Sequence, residues 1–233
     1  MYTTEAPPRP MHRQFPGGPP LAGLAAVSTA LFLTGLIAST AMAGTAFPSP
    51  FDSGASILVY FHSHQDAVKV SAFFQFAAAV PLAIYAATAS VRLRNLGIRA
   101  PGASIAFAGG LLAAVFLAVS GVVSWALAQP AVPASAPLVR ALCALSFAAG
   151  GPGSVVPLGL LIAGLAVPAA FGALLPRWLV ATGLILAVAA EFASLCLLAS
   201  GFAYLLPIAR FGGLAWLITA GALLPTTRSR ASQ

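Results

Sequence analysis

Acidic side chains are nearly missing from this chain. There are four in 233 residues: Glu5, Asp52, Asp66 and Glu191. Such a set leaves little for paired-carboxylate catalysis, which needs two carboxyl groups with separated roles. Charged residues of both signs make up only 6% of the chain, where a soluble domain carries about 25%. So few ionic groups cannot coat a water-facing surface, which excludes a water-soluble enzyme, a disordered chain and a secreted disulfide scaffold. Cysteine is scarce as well. Cys143 and Cys196 fit neither a CxxC motif nor a zinc spacing. They read as small apolar core residues, and because both fall on one side of the expected membrane, a disulfide stays open. Lysine occurs once, as Lys69, beside ten arginines. With abundant Ala, Gly and Pro, this usage fits a GC-rich bacterial genome. HExxH, GxSxG, a Walker loop and a GxGxxG in strand–helix context are all lacking, so no catalytic residue and no cofactor is assigned.

What the chain has is long apolar runs. Hydrophobic residues are 60% of the total. A hydrocarbon core about 30 Å thick needs about 20 apolar residues of helix. Six runs meet this: residues 21–43, 67–91, 104–127, 154–174, 178–198 and 203–224. The stretch 138–174 is too long for one span, and Gly150-Gly151-Pro152-Gly153 divides it, because glycine frees the backbone and proline breaks the hydrogen-bond ladder. Residues 138–149 then form a short amphipathic segment at the interface. The fold class is an all-α, polytopic transmembrane bundle of six spans. Its single domain covers 21–224, between an inner tail at 1–20 with six prolines and another at 225–233. The runs do not alternate, which excludes barrel strands.

Arginine placement sets the orientation. Arg9, Arg13, Arg92, Arg94, Arg99, Arg177, Arg228 and Arg230 share one side, against Lys69, Arg140 and Arg210 on the other. The positive-inside rule then puts both termini inside, in a bacterial cytoplasmic membrane. It also accounts for the net charge of +7 without nucleic acid as a partner. The expected partners are membrane lipids, other membrane proteins or further copies of the chain. Tyr60, Trp125 and Tyr204 belong near the outer interface and Trp178 near the inner one. Arg9, Arg13 and the apolar run ending in Ala41-Met42-Ala43 also resemble a signal peptide with its cleavage site, but a run of 23 residues favours a retained first span.

The longest outer loop is 44–65. Asp52 or Ser53 is placed to cap a short helix through Ile57, Leu58, Tyr60 and Phe61, and His64 to Asp66 to begin the second span. Val80-Pro81-Leu82-Ala83, Val156-Pro157-Leu158-Gly159 and Leu206-Pro207-Ile208-Ala209 would put a proline kink in every second span if they mark a repeat.

FPSPFDS at 47–53, SILVYFHSHQDAVKVSAFFQFAAAVPLAIYAA at 56–87, ALCALSFAAGGPGSVVPLGLL at 141–161, LLPRWL at 174–179 and YLLPIARFGGLAWL at 204–217 together resemble a family of bacterial multi-pass membrane proteins of unknown function. The resemblance covers about residues 45–225. It implies a helical bundle and carries over no catalytic or binding residue.

The candidate chemistry lies in the outer half. A charge at mid-membrane costs about 2.5–3.5 kcal/mol on insertion scales, so a retained one calls for a partner or a role. Glu191 and Arg210 lie about equally far from the turn at Gly201. Equal depth on antiparallel helices predicts that they meet, either as a structural ion pair or as the lining of an outward-facing pocket. Lys69, Gln75 and Arg140 could join that pocket as binding residues. The plainer readings are that Lys69 pairs with Asp66 or snorkels and that Arg140 grips lipid phosphates. His62, His64 and Asp66 are the one metal-like cluster, with a polar cap on the second span as the plainer reading. The resulting expectation is a membrane protein that binds or translocates a small molecule or lipid. Its rivals are a non-catalytic subunit of a membrane complex and a membrane-embedded metalloenzyme.

Overall fold

A computed structural model describes residues 18–98, 100–132 and 135–226. The expected tails fall mostly outside these residues, as do Arg9, Arg13, Arg99, Arg228 and Arg230. The described residues are all-α, without strands. The elements are α1 (Leu21–Ala43), α2 (Gly54–Ser63), α3 (Gln65–Asn95), α4 (Gly102–Leu127), α5 (Ala136–Ala148), α6 (Ser154–Phe171), α7 (Arg177–Ala193) and α8 (Leu205–Leu223). Six helical segments are long and apolar enough to cross a membrane, and the chain is a multi-pass membrane protein. Consecutive spans run in opposite directions. One end of the bundle carries the α1–α2, α4–α5 and α7–α8 connections. This is the distal end.

Short-range chemistry sets several boundaries. Gly44 ends α1 in the left-handed region at φ 67°, with its N–H on the Thr40 carbonyl. Ser53 caps α2 as expected, accepting a hydrogen bond from the Ser56 N–H. Pro81 and Pro157 lie inside α3 and α6. Pro207 does not repeat them, because α8 begins at Leu205 and a first-turn proline lacks only a donor that would have no partner there. The three similar tetrapeptides thus do different work.

The expected division at Gly150–Gly153 is a π turn over Ala149–Gly153, with Gly151 at non-helical φ −79°, ψ −107°. It joins α5 to α6 within a stretch of 36 residues. Straight, that stretch would run about 54 Å, well beyond an apolar core of about 30 Å. The break therefore divides one over-long helix into a span and a distal segment.

Small residues bring the spans together. In lipid there is little hydrophobic drive between helices, and close backbone packing takes its place. The α4–α6 seam shows this most strongly. A Cβ on Gly109 would come within 2.6 Å of the Leu161 nitrogen and 2.7 Å of the Pro157 oxygen. At the α1–α8 contact, a Cβ on Gly221 would lie 2.7 Å from the Ala22 nitrogen. Three buried side-chain bonds tie other pairs. Ser28 Oγ donates to the Ala78 carbonyl at 2.8 Å, Tyr85 Oη to Leu217 at 3.1 Å, and Trp216 Nε1 to Leu179 at 2.7 Å. The main core, including Leu82, Tyr85, Leu117, Leu161 and Leu217, fills the half away from the distal end.

The distal end has a smaller core of its own, where Ile57, Phe61, Val68, Leu127, Val139 and Cys143 pack together. Tyr60 belongs to it. The residue is buried, and its ring meets Phe47, Phe61 and His64. Burial pushes the Tyr60 phenol above its ordinary range. This corrects its expected place in an aromatic belt, whereas Trp125, Trp178 and Tyr204 are exposed. Cys143 and Cys196 are both buried free thiols.

Candidate functional site

Between α1, α3, α4, α5 and α8, near the distal end, lies a cavity of about 440 Å³. Small-molecule sites run from about 300 to 1,000 Å³, are mostly apolar and carry a few convergent polar groups. Here the apolar side comes from Phe32 and Leu36 on α1, Phe147 on α5, and Leu206 and Phe211 on α8. The loop residues Phe47–Pro50 line it near the distal end.

The polar wall begins at the π turn. The Ser154 N–H bonds the Gly151 carbonyl. The Gly150 carbonyl accepts instead from Ser154 Oγ at 2.6 Å and from Arg210 Nη2. The same Nη2 donates to Ser154 Oγ at 3.0 Å. The guanidinium carbon sits 5.1 Å from the centre of the Phe32 ring, a cation–π contact worth about 2 kcal/mol when desolvated. A guanidinium has five N–H donors. Nη2 spends its two on Gly150 and Ser154. Among the described residues Nε and Nη1 have no protein partner, and neither is sealed off as a buried orphan. Arg210 also borders a second void of about 20 Å³ with Ser28 and Ser154, room for about one water.

A serine lattice completes the wall. Gln75 Nε2 donates to Ser120 Oγ at 3.1 Å. Ser120 Oγ donates to the Ser146 carbonyl at 2.9 Å, and the Ser146 hydroxyl lies 2.8 Å from that of Ser124. Gly150 makes this approach possible, since a Cβ there would collide with Ser120 Oγ and lie 3.0 Å from Ser120 Cβ. Sequence reading missed these serines. The available signal was Ser120 and Ser124, four apart and so on one face of an otherwise apolar helix.

Two of the five expected binding residues, Gln75 and Arg210, line the cavity. The other three do not. The expected Glu191–Arg210 contact is corrected: among the described residues the one salt bridge is Lys69–Asp66 at 3.0 Å. Glu191 is exposed in the last turn of α7, and after Ala193 the chain passes through 3₁₀ turns at Ser194–Leu197 and Ser200–Tyr204. Equal counts from Gly201 say nothing about which way a side chain faces: Glu191 is exposed, while Arg210 turns to Gly150 and Ser154. Lys69 is held in its pair on α3. Arg140 is exposed and packs beside Gly54 at the start of α2, where a Cβ would meet its Nη1 at 3.2 Å.

His62, His64 and Asp66 do not converge either. His62 is exposed at the end of α2, His64 stacks on Tyr60 with ring centres 5.1 Å apart, and Asp66 holds Lys69. No group of three or more His, Cys, Asp or Glu placed to hold a metal occurs among the described residues. Comparison with protein-family models, curated proteins and solved structures finds no match.

Proposed function

We propose that this chain is a multi-pass protein of a bacterial cytoplasmic membrane that binds a small molecule or lipid in a pocket opening toward the outer face. The observation that carries this reading is the cavity of about 440 Å³, lined both by Arg210, Gln75 and serines and by aromatic and aliphatic side chains. A charge kept inside a span signals use, and Arg210 has no acidic partner among the described residues. The packed core beneath the cavity favours binding over an open channel. The orientation rests on the arginine count, which makes the distal end the outer one. Membrane lipids are the nearest source of a ligand with both a polar and an apolar part.

Two experiments test this reading. In a background with Cys143 and Cys196 replaced by alanine, Ser200→Cys should react with an impermeant maleimide in intact cells. Ala100→Cys, at the opposite end, should react only after permeabilisation; the reverse pattern overturns the orientation. For the pocket, protein released from its membrane and examined by native mass spectrometry should carry a bound small molecule or lipid. Leu36→Trp, which places an indole in the cavity from a partly exposed position, should lower its occupancy at least tenfold with the protein still folded. Unchanged occupancy would refute the pocket.

A further inference from the structure

We infer that the ligand carries an anionic head, a phosphate or a carboxylate, and that Arg210 is its anchor. This rests on the pocket reading above and narrows it to a charge class.

Arg210 brings a fixed positive charge into the cavity, and among the described residues no acidic side chain lines that cavity. Asp52 accepts from the Ser49 N–H at 2.8 Å in the covering loop, Asp66 is held by Lys69, and Glu191 stands exposed on α7. Three N–H groups on Nε and Nη1 are left after Nη2 has bonded Gly150 and Ser154. Ser71 and Gln75 line the same cavity and can supply further polar contacts to a head group. Hydrogen bonds between a guanidinium and an anionic oxygen are about twice as strong as neutral ones. A cationic head would meet uncompensated repulsion, and a neutral head would leave the charge without a counter-ion. Phe32, Phe147 and Leu206 then receive whatever apolar part follows the head.

The same anion could arrive on a lipid-like chain or free from water, and the test separates the two. Binding to the purified full-length protein in a neutral detergent is measured with labelled dodecyl phosphate, dodecanol and inorganic phosphate. Dodecyl phosphate should bind saturably and at least tenfold more tightly than dodecanol. Arg210→Gln should remove that advantage, while Arg210→Lys keeps part of it. Dodecyl phosphate binding more tightly than inorganic phosphate supports an amphiphile as the source. Equal binding of the two supports a water-borne anion. Equal binding of dodecyl phosphate and dodecanol to the unmodified protein overturns the inference, and it does so even if Arg210→Gln fails to fold. If both are then lost in Leu36→Trp, the pocket survives and only the anion is wrong. If no probe binds at all, the inference falls, while the pocket reading stands or falls with the occupancy found by native mass spectrometry.

Discussion

Gly164→Ala and Gly109→Ala should each destabilise the bundle more than any other single-methyl change. The expected loss is about 1–3 kcal/mol or more, since overpacking a filled interface forces backbone movement. Both positions lie where α4 and α6 touch backbone to backbone. A methyl on Gly164 would reach the Ala106 nitrogen and lie 2.8 Å from its Cα. A methyl on Gly109 would lie 2.8 Å from Leu160 Cβ as well as against the Leu161 and Pro157 backbone. A side chain can swing away from such a contact, but a helix backbone cannot move without shifting the whole seam. Trimming the neighbour should therefore not help, and Ala106→Gly added to Gly164→Ala should leave the loss in place. Gly201→Ala is the control. A Cβ there meets nothing within 4 Å, so its effect should stay within about 0.5 kcal/mol. Thermal unfolding in detergent, followed by circular dichroism and size-exclusion recovery, reads all four. A Gly164→Ala protein as stable as Gly201→Ala would mean that α4 and α6 do not pack this closely.

Gly150→Ala has the second largest expected effect, and it differs in kind. The obstacles to its methyl belong to side chains: Ser120 Oγ and Cβ, and Gln75 Nε2 at 3.2 Å. The methyl would push Ser120 out of its bonds to Gln75 and Ser146. Each lost hydrogen bond costs about 0.5–1.5 kcal/mol, with a larger penalty where a polar group is left buried and unpaired. The polar wall of the cavity should fail with it, so bound ligand should fall together with stability. Here relief is available. Ser120→Gly removes the colliding atoms, and Gly150→Ala with Ser120→Gly should be more stable than the sum of the single losses predicts. Groups in direct contact couple by about 0.5–3 kcal/mol. A double-mutant cycle in detergent measures this, and strictly additive losses would refute the contact. A partner trim should thus rescue Gly150→Ala but not Gly164→Ala.

Much of the bundle was legible because a membrane imposes lengths. The first span was read as 21–43, and α1 is Leu21–Ala43. The break at Gly150–Gly153 fell on the π turn, because adjacent Gly and Pro leave few backbone alternatives. Ser53 was legible as a cap for the same local reason. The candidate site was half legible. Gln75 and Arg210 stood out as polar groups in apolar runs and do line the cavity. Glu191 stood out in the same way and faces elsewhere. The serines were passed over, since single hydroxyls are common in membrane helices and acquire meaning only when Ser120, Ser124 and Ser146 meet.

Composition and run length by themselves determined that the chain is helical, crosses a membrane several times and holds few charges. These follow from solvation, because backbone polar groups in lipid must be satisfied within each helix and ionic side chains are expensive there. Tertiary structure alone decided which way each helix is turned, and so which polar groups meet. In water an apolar stripe marks the buried face, but in lipid the outer face is as apolar as the inner. Exposed Phe73 and Ile185 look no different in sequence from buried Leu161 and Leu217. Gly109 and Gly164 let α4 and α6 close backbone to backbone, and Gly221 does the same for α8 and α1; in that packing Arg210 meets the Gly150 carbonyl and Glu191 stays exposed.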